Sequence, residues 1–247
     1  LQGLLESRDA ALPELSDQLG ELAGMVAYAL NAAHNDAAAY PPPTGLAGTR
    51  TDLAGFDGAA NSGTAYLAVV DRTTGSTLQA LAIDVTAPSV GDIVSQINAG
   101  LGSLGSASIG ADGALRIQLA DSSHGVALSE GNSRIAVSDP AGHLRDYGFS
   151  HYFGLNDLVV ADGPSATDLS IRADVAADAR RLASSKLDVT QGPPLTAVLG
   201  GSGDNRGAQA LAGAIDRSLS TVARGALPGG TGSIAGNRTP AQFTLSK

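Results

Sequence analysis

Cysteine and tryptophan are absent from this chain of 247 residues, and five tyrosines and four phenylalanines are its whole aromatic content. Without cysteine there is no disulfide staple and no thiolate-ligated metal, although the lack does not fix a compartment. Positive charge is scarce as well: 15 lysines and arginines stand against 24 aspartates and glutamates, for a net charge of −9. Such a balance argues against binding nucleic acid, where cations must replace the counterions of the phosphates. No apolar run approaches the roughly 18 residues of a membrane span, and no signal peptide is visible. What the chain does have is glycine, 32 residues of it, with much alanine, serine and threonine, a composition that suits exported proteins. Its length allows one large or two ordinary domains.

The opening segment carries an apolar heptad. Leu1, Leu5, Leu12, Leu15, Leu19, Leu22, Val26, Ala29 and Ala33 fall alternately three and four residues apart, with Arg8 the polar intruder. That spacing is the narrow seam of supercoiled helices, which must have a partner. A helix to about Asn35 is predicted, with Pro13 kinking it or marking a restart. Glu6, Asp9, Glu14, Asp17 and Glu21 make it acidic. Its start in mid-helix at a leucine suggests the middle of a longer, rod-like protein that works by assembly.

Tyr40-Pro41-Pro42-Pro43 ends helical structure and marks a boundary. Beyond it, Tyr66–Asp71 and Thr77–Val85 flank Arg72-Thr-Thr-Gly75 as a hairpin. Ser89 caps a short helix with Ile93, Val94, Ile97 and Leu101 on its apolar face. Ala107–Ile109 and Leu115–Leu119 flank the turn pair Asp112-Gly113, and Val126–Leu128 and Ile135–Val137 add short strands. Tyr147, Phe149, Tyr152 and Phe153 then crowd together. Leu169–Arg172 alternates as a strand, Val175–Leu187 reads as broken helix, and a helix from Asp204 to about Ala223 presents Ala208, Leu211, Ala212, Ile215 and Leu219. Residues 225–242 read as a connector. The fold class is α+β: a discontinuous helical rod or bundle domain over 1–40 and 144–247, with a hairpin-rich α+β domain over 41–143 inserted into it. The helix from Asp204 is the expected partner of the opening seam.

Few residues offer chemistry. His34, His124, His143 and His151 lack the helical pairing with a carboxylate that zinc hydrolases use, although His143 and His151 could approach one another. His34, at a helix C-terminus, suits a charged capping role. Ser122-Ser123-His124 has no nucleophile elbow around it. Gly200-Gly-Ser-Gly203 lacks the lysine of a phosphate loop, and Asp112 and Asp121 lack the dense oxygen ligands of a calcium loop. No enzyme activity, metal or cofactor is expected. The aromatic cluster is expected to be the packed joint between the two domains, with a sugar-binding platform as the alternative.

Three stretches carry a resemblance: Gly3-Leu-Leu-Glu-Ser-Arg-Asp9 continuing through Leu12-Pro13 to Asn31-Ala32 and His34; Tyr152-Phe-Gly-Leu-Asn-Asp157; and Gly203-Asp204-Asn205 opening a helix with Ala210-Leu-Ala212. Together they resemble the hook-associated protein 1 family of the bacterial flagellum, which joins hook to filament. Ser89 to Leu119 is similar to the helix–hairpin repeat in the outer domains of flagellins. The resemblance implies an internal fragment without the terminal polymerising helices. It implies a secreted structural subunit, exported by the flagellar apparatus and required for filament assembly and motility. Its implied partners are the hook protein, hook-associated protein 3 and copies of itself in a ring, with an export chaperone on a terminus. No nucleic acid or membrane partner is implied. Leu5, Arg8, Leu12, Leu15, Leu19, Leu22, Val26, Leu211, Ile215 and Leu219 are the expected packing surface, beside the acidic face of Glu14, Asp17 and Glu21. The fragment alone is expected to be a monomer. Flagellin, a secreted adhesin or carbohydrate-binding module, and a serine hydrolase around Ser123 and His124 are the alternatives.

Overall fold

Pro13 is the second residue of a long helix, and having no N–H it cannot bond back to a carbonyl of the preceding turn. A π-helical turn over Ser7–Ala11 leads into this helix, α1 (Leu12–Asn35), so the expected kink is a change of winding at the helix start. The computed structural model describes residues 5, 7–138, 144–163 and 165–214. After α1 come β1 (Gly45–Ala47), β2 (Thr64–Asp71), β3 (Thr77–Asp84), α2 (Val90–Leu101), β4 (Gly105–Ile109), β5 (Leu115–Leu119), β6 (His124–Ser129), β7 (Ile135–Ser138) and β8 (Leu144–Tyr147). Then follow α3 (Phe149–Phe153), β9 (Val159–Ala161), β10 (Leu169–Ile171), α4 (Ala173–Ala177), β11 (Leu187–Thr190), β12 (Thr196–Leu199) and α5 (Arg206–Ala214). The fold is α+β.

Local chemistry explains the elements that were predicted. The Ser89 hydroxyl accepts from the Asp92 N–H at 3.2 Å and donates to the Asp92 carboxylate at 2.6 Å, closing the N-terminus of α2. Between β4 and β5, Gly113 has φ +86°, and a Cβ there would lie 2.4 Å from the Thr51 carbonyl oxygen, so both backbone angle and space require glycine.

Contacts divide the described residues into two units. One comprises those up to Leu30 with Val159–Arg172 and the start of the segment from Leu211. In it, Gln18, Met25 and Ala29 form the buried line of α1, and β9 and β10 make an antiparallel hairpin. The other comprises Asn31–Leu158 and Ala173–Ala210. Its centre is β2, paired antiparallel with β3 on one side and β6 on the other. Residues 65–70 of β2 are buried without interruption because both faces of the sheet are covered. Ala65, Leu67 and Val69 enter a core with Leu81, Ile83, Ile93, Ile97 and Ile117, contributed by β3, α2 and the antiparallel sheet β1-β5-β4. Ala68 and Val70 face Leu187, Ala197 and Leu199 of the β11–β12 hairpin.

This division differs from the expected one. The residues from Leu144 to Leu158 and from Ala173 to Ala210 lie with the strands, because Phe149, Tyr152, Phe153 and Leu155 belong to the core of β2 and α2. Instead of a helical domain, 144–205 contains strands β8 to β12 and only short helices. The broken helix read over Val175–Leu187 is present in part, as α4 and a 3-10 turn at Ala179–Arg181, while the strands Leu187-Asp-Val-Thr190 and Thr196-Ala-Val-Leu199, with buried and exposed positions alternating, were not foreseen. Phe153→Ala, which empties a fully buried ring site, is expected to cost about 3–5 kcal/mol by urea denaturation. Val198→Ala, on the exposed side of β12, should stay within about 0.5 kcal/mol.

Candidate functional site

The C-terminal turn of α1 ends in a polar clasp rather than in solvent. The Asn35 amide Nδ2 donates to the Asn31 carbonyl oxygen at 2.9 Å and to Asp157 Oδ1 at 2.7 Å. Its Oδ1 accepts from the Ser150 hydroxyl at 2.6 Å and the Asn156 N–H at 2.9 Å. Asp157 Oδ2 also accepts from the Thr49 hydroxyl at 2.6 Å. The Asn156 amide donates to the carbonyl oxygens of His34 and Ala37, and Asn31 Oδ1 accepts from the Leu158 N–H. Asn35 and Ser150 are fully buried, where an unmade hydrogen bond is costly.

His34, also fully buried, ties a third stretch to the same place. Its Nε2 accepts from the Ala183 N–H at 2.8 Å, and Nδ1 lies 2.5 Å from the Asn156 carbonyl oxygen. Nε2 therefore carries a lone pair and Nδ1 the proton. This overturns the expected charged cap: the imidazole is a neutral cross-brace. Two residues after Ala183, Ser185 exchanges both backbone hydrogen bonds with Ala38. The Ser185 hydroxyl and the Lys186 N–H donate to Asp204 Oδ2, while Asp204 Oδ1 accepts from the Arg206 N–H at the start of α5. The bonds from Arg206, with those from Lys186 and Ser185, hold the Asp204 carboxyl far below the usual range. Gly200 has no room for a Cβ, since the Asp204 carboxylate occupies that position. The glycine run 200–203 thus makes way for a side chain, not for a phosphate.

The phrase Tyr152 to Asp157 is built around one left-handed residue. Gly154 has φ +65°, and a Cβ there would meet the Thr49 hydroxyl at 2.0 Å. Leu155 N–H bonds back to the Ser150 carbonyl, closing α3. At the other end of α3, the N–H groups of Phe149, Ser150 and His151 donate to Ser133 Oγ, Glu130 Oε2 and Glu130 Oε1 at 2.9–3.0 Å. Arg50 Nε donates to the Tyr152 carbonyl at 2.6 Å, and its guanidinium lies 4.5 Å from the Tyr152 ring centre.

No known family model matches the chain, and none of the curated proteins matches it. Residues 31–35 and 152–157 bond one another directly in the clasp, whereas Asp204 bonds Ser185 and Lys186, and Ser185 in turn pairs with Ala38.

The other expected site residues fall as follows. Leu5, Leu12 and Leu19 are 45%, 60% and 45% exposed, while Leu15, Leu22 and Val26 are half-buried. Arg8 is exposed and forks onto Asp9 at 2.6 and 3.0 Å. Leu211 is half-buried on α5; Ile215 and Leu219 lie outside the described residues. Phe149, Tyr152 and Phe153 are interior to the sheet unit rather than a joint, and Tyr147 packs at its margin, 4.8 Å from the His151 ring. The buried rings offer no sugar platform. The Ser123 hydroxyl donates to Asp121, not to a base, in an exposed turn. His143 lies outside the described residues, and among those described no group of three metal-binding side chains assembles. Glu130 was missed: a lone glutamate after a short strand carries no sequence signal of the helix it caps 20 residues on.

Replacing Asn35 by alanine leaves the Ser150 hydroxyl, the Asn156 N–H and the Asp157 carboxylate each short of a partner. A loss of about 3 kcal/mol or more is expected in denaturant titration. Two titratable groups beside the clasp shift oppositely. Burial pushes the Glu130 carboxyl up to about 8, against the N–H groups of α3 and with help from Asp36. Burial, with Arg50 nearby, holds His151 down at about 4. From pH 4.5 to 8 folded Glu130 keeps a proton that the unfolded chain has lost, so its contribution to stability falls as pH rises. From pH 4 to 6.5 the unfolded chain holds a His151 proton that the folded one lacks, so that contribution rises. The two oppose each other up to about pH 6.5, above which stability should decline toward pH 8. Glu130→Gln is expected to abolish that decline in thermal melts across the range.

Proposed function

We propose that the chain is a structural subunit of the bacterial flagellum, acting at the junction between hook and filament. The observation offered in support is the clasp: the phrase ending α1 and the Tyr-Phe-Gly-Leu-Asn-Asp phrase share one buried hydrogen-bond network, and the Asp204 phrase bonds Ser185, which pairs with Ala38 just beyond α1. In this reading the subunit is exported through the flagellar apparatus and packs between the hook protein and hook-associated protein 3. It forms a ring with its own copies and is met by an export chaperone on the way. Leu12 and Leu19, exposed on α1, with Leu5 exposed before it, are a surface for helix–helix contact. No described helix is long and apolar enough to cross a membrane.

Deleting the gene in the source bacterium is expected to leave hooks without filaments, to release unpolymerised filament protein into the medium and to abolish swimming. Electron microscopy of the cells and a soft-agar assay read both. Normal filaments in the deletion strain would overturn the proposal.

A further inference from the structure

In a chain with a net charge of −9 and only 15 lysines and arginines, three arginines line one cavity of about 150 Å³. Arg72 follows β2, and Arg180 and Arg181 follow α4; Ala39, Pro41 and Pro43 supply apolar wall, and Thr44 and Asp178 complete the lining. The three guanidinium groups are held differently. Arg180 forks onto Asp178, from Nε at 2.9 Å and Nη2 at 3.0 Å. Arg181 reaches Asp174 through Nη1 alone, at 3.1 Å. Arg72 donates to two neutral acceptors, from Nε to the Pro42 carbonyl at 2.9 Å and from Nη1 to the Ser122 carbonyl at 3.0 Å.

Arg72 is therefore fixed in place without a carboxylate in those bonds, and its Nη2 takes part in neither. A guanidinium held by backbone carbonyls loses little freedom when it binds, and its planar fork matches the oxygen pairs of carboxylates and phosphates. Arg181, joined to its own acid by one bond, can turn a second edge to the same ligand. With Asp174 and Asp178 counted against the three arginines, the site keeps an excess of positive charge. At about 150 Å³ the space falls below the ~300 Å³ at which drug-sized ligand pockets begin, so it suits a small ion or the charged end of a larger molecule. We propose that this cavity is an oxyanion site, taking a phosphate or carboxylate group, with Arg72 as the fixed anchor and Arg181 as the second arm. It stands independently of the flagellar reading, since none of its argument uses the clasp.

Calorimetric titration of the protein with inorganic phosphate, and separately with malonate, tests it at low ionic strength, with chloride at matched ionic strength as the reference. Saturable binding of one equivalent is expected. Binding of phosphate alone or of malonate alone would identify the source of the oxyanion, and binding of both would mean that the oxygen pair is what is read. Arg72→Gln risks the fold, because Arg72 braces Pro42 and Ser122, so Arg181→Gln is the informative variant. It is expected to weaken binding about tenfold, a modest part of the worth of a charge-assisted fork. Arg134→Gln, which removes an equal charge from an exposed pair with Asp146 elsewhere, should leave the affinity unchanged. No saturable binding of either anion, or equal affinity in Arg181→Gln and the unaltered protein, would overturn the proposal.

Discussion

Asn35 has two amide protons and two carbonyl lone pairs, and all four are used inside the protein. Nδ2 joins its own helix to Asp157; Oδ1 joins the first turn of α3 to the residue that follows its closing loop. One side chain thereby connects positions more than 110 apart in sequence. The network costs nothing in unmet partners at Asn35 itself, which is the condition under which a buried polar cluster rigidifies a fold rather than weakening it. It also imposes constraints outward. Gly154 must be glycine for Thr49 to reach Asp157, and α3 must begin where Glu130 can cap it.

The clasp and the apolar core act on the same segment from two sides. Phe149, Tyr152, Phe153 and Leu155 are driven inward by burial, which is strong but indifferent to register. A slip of one residue along 149–157 would still bury an aromatic ring, but it would separate Asn156 from His34 and Asp157 from Asn35. Hydrogen bonds select the register that the hydrophobic effect leaves open. The same division of labour recurs at Ser185: its hydroxyl and backbone align it on Ala38 and Asp204, while Leu187, two residues on, enters the core.

Much of the sheet unit was legible because its signals are local. The β2–β3 hairpin, the Ser89 cap, the Asp112-Gly113 turn and the strands around Val126 and Ile135 each announce themselves within a few residues. The clasp was legible only as a set of phrases. Nothing in Asn31 to Asn35 says that its partners are Ser150 and Asn156, because a polar side chain at a helix end is equally suited to solvent. The strands β11 and β12 went unread for a physical reason too. Four residues are too few for a period to decide between helix and strand, and the choice fell to a tertiary partner, the open face of β2 with Ala68 and Val70. The seam of α1 mixed two signals: its buried line passes through Gln18, Met25 and Ala29, whereas the strict heptad runs through Leu5, Leu12 and Leu19.

That divergence bears on what the helix is for. A helix that served only its own core would hide its largest apolar side chains and expose its small ones. Along α1 the order is partly reversed: alanines at 29 and 33 are buried, while leucines at 12 and 19 are 60% and 45% exposed. Single exposed leucines need no explanation. Leu12 and Leu19, seven residues apart on α1, lie on a different side from Met25 and Ala29 and form an apolar edge that a second helix could cover without disturbing either.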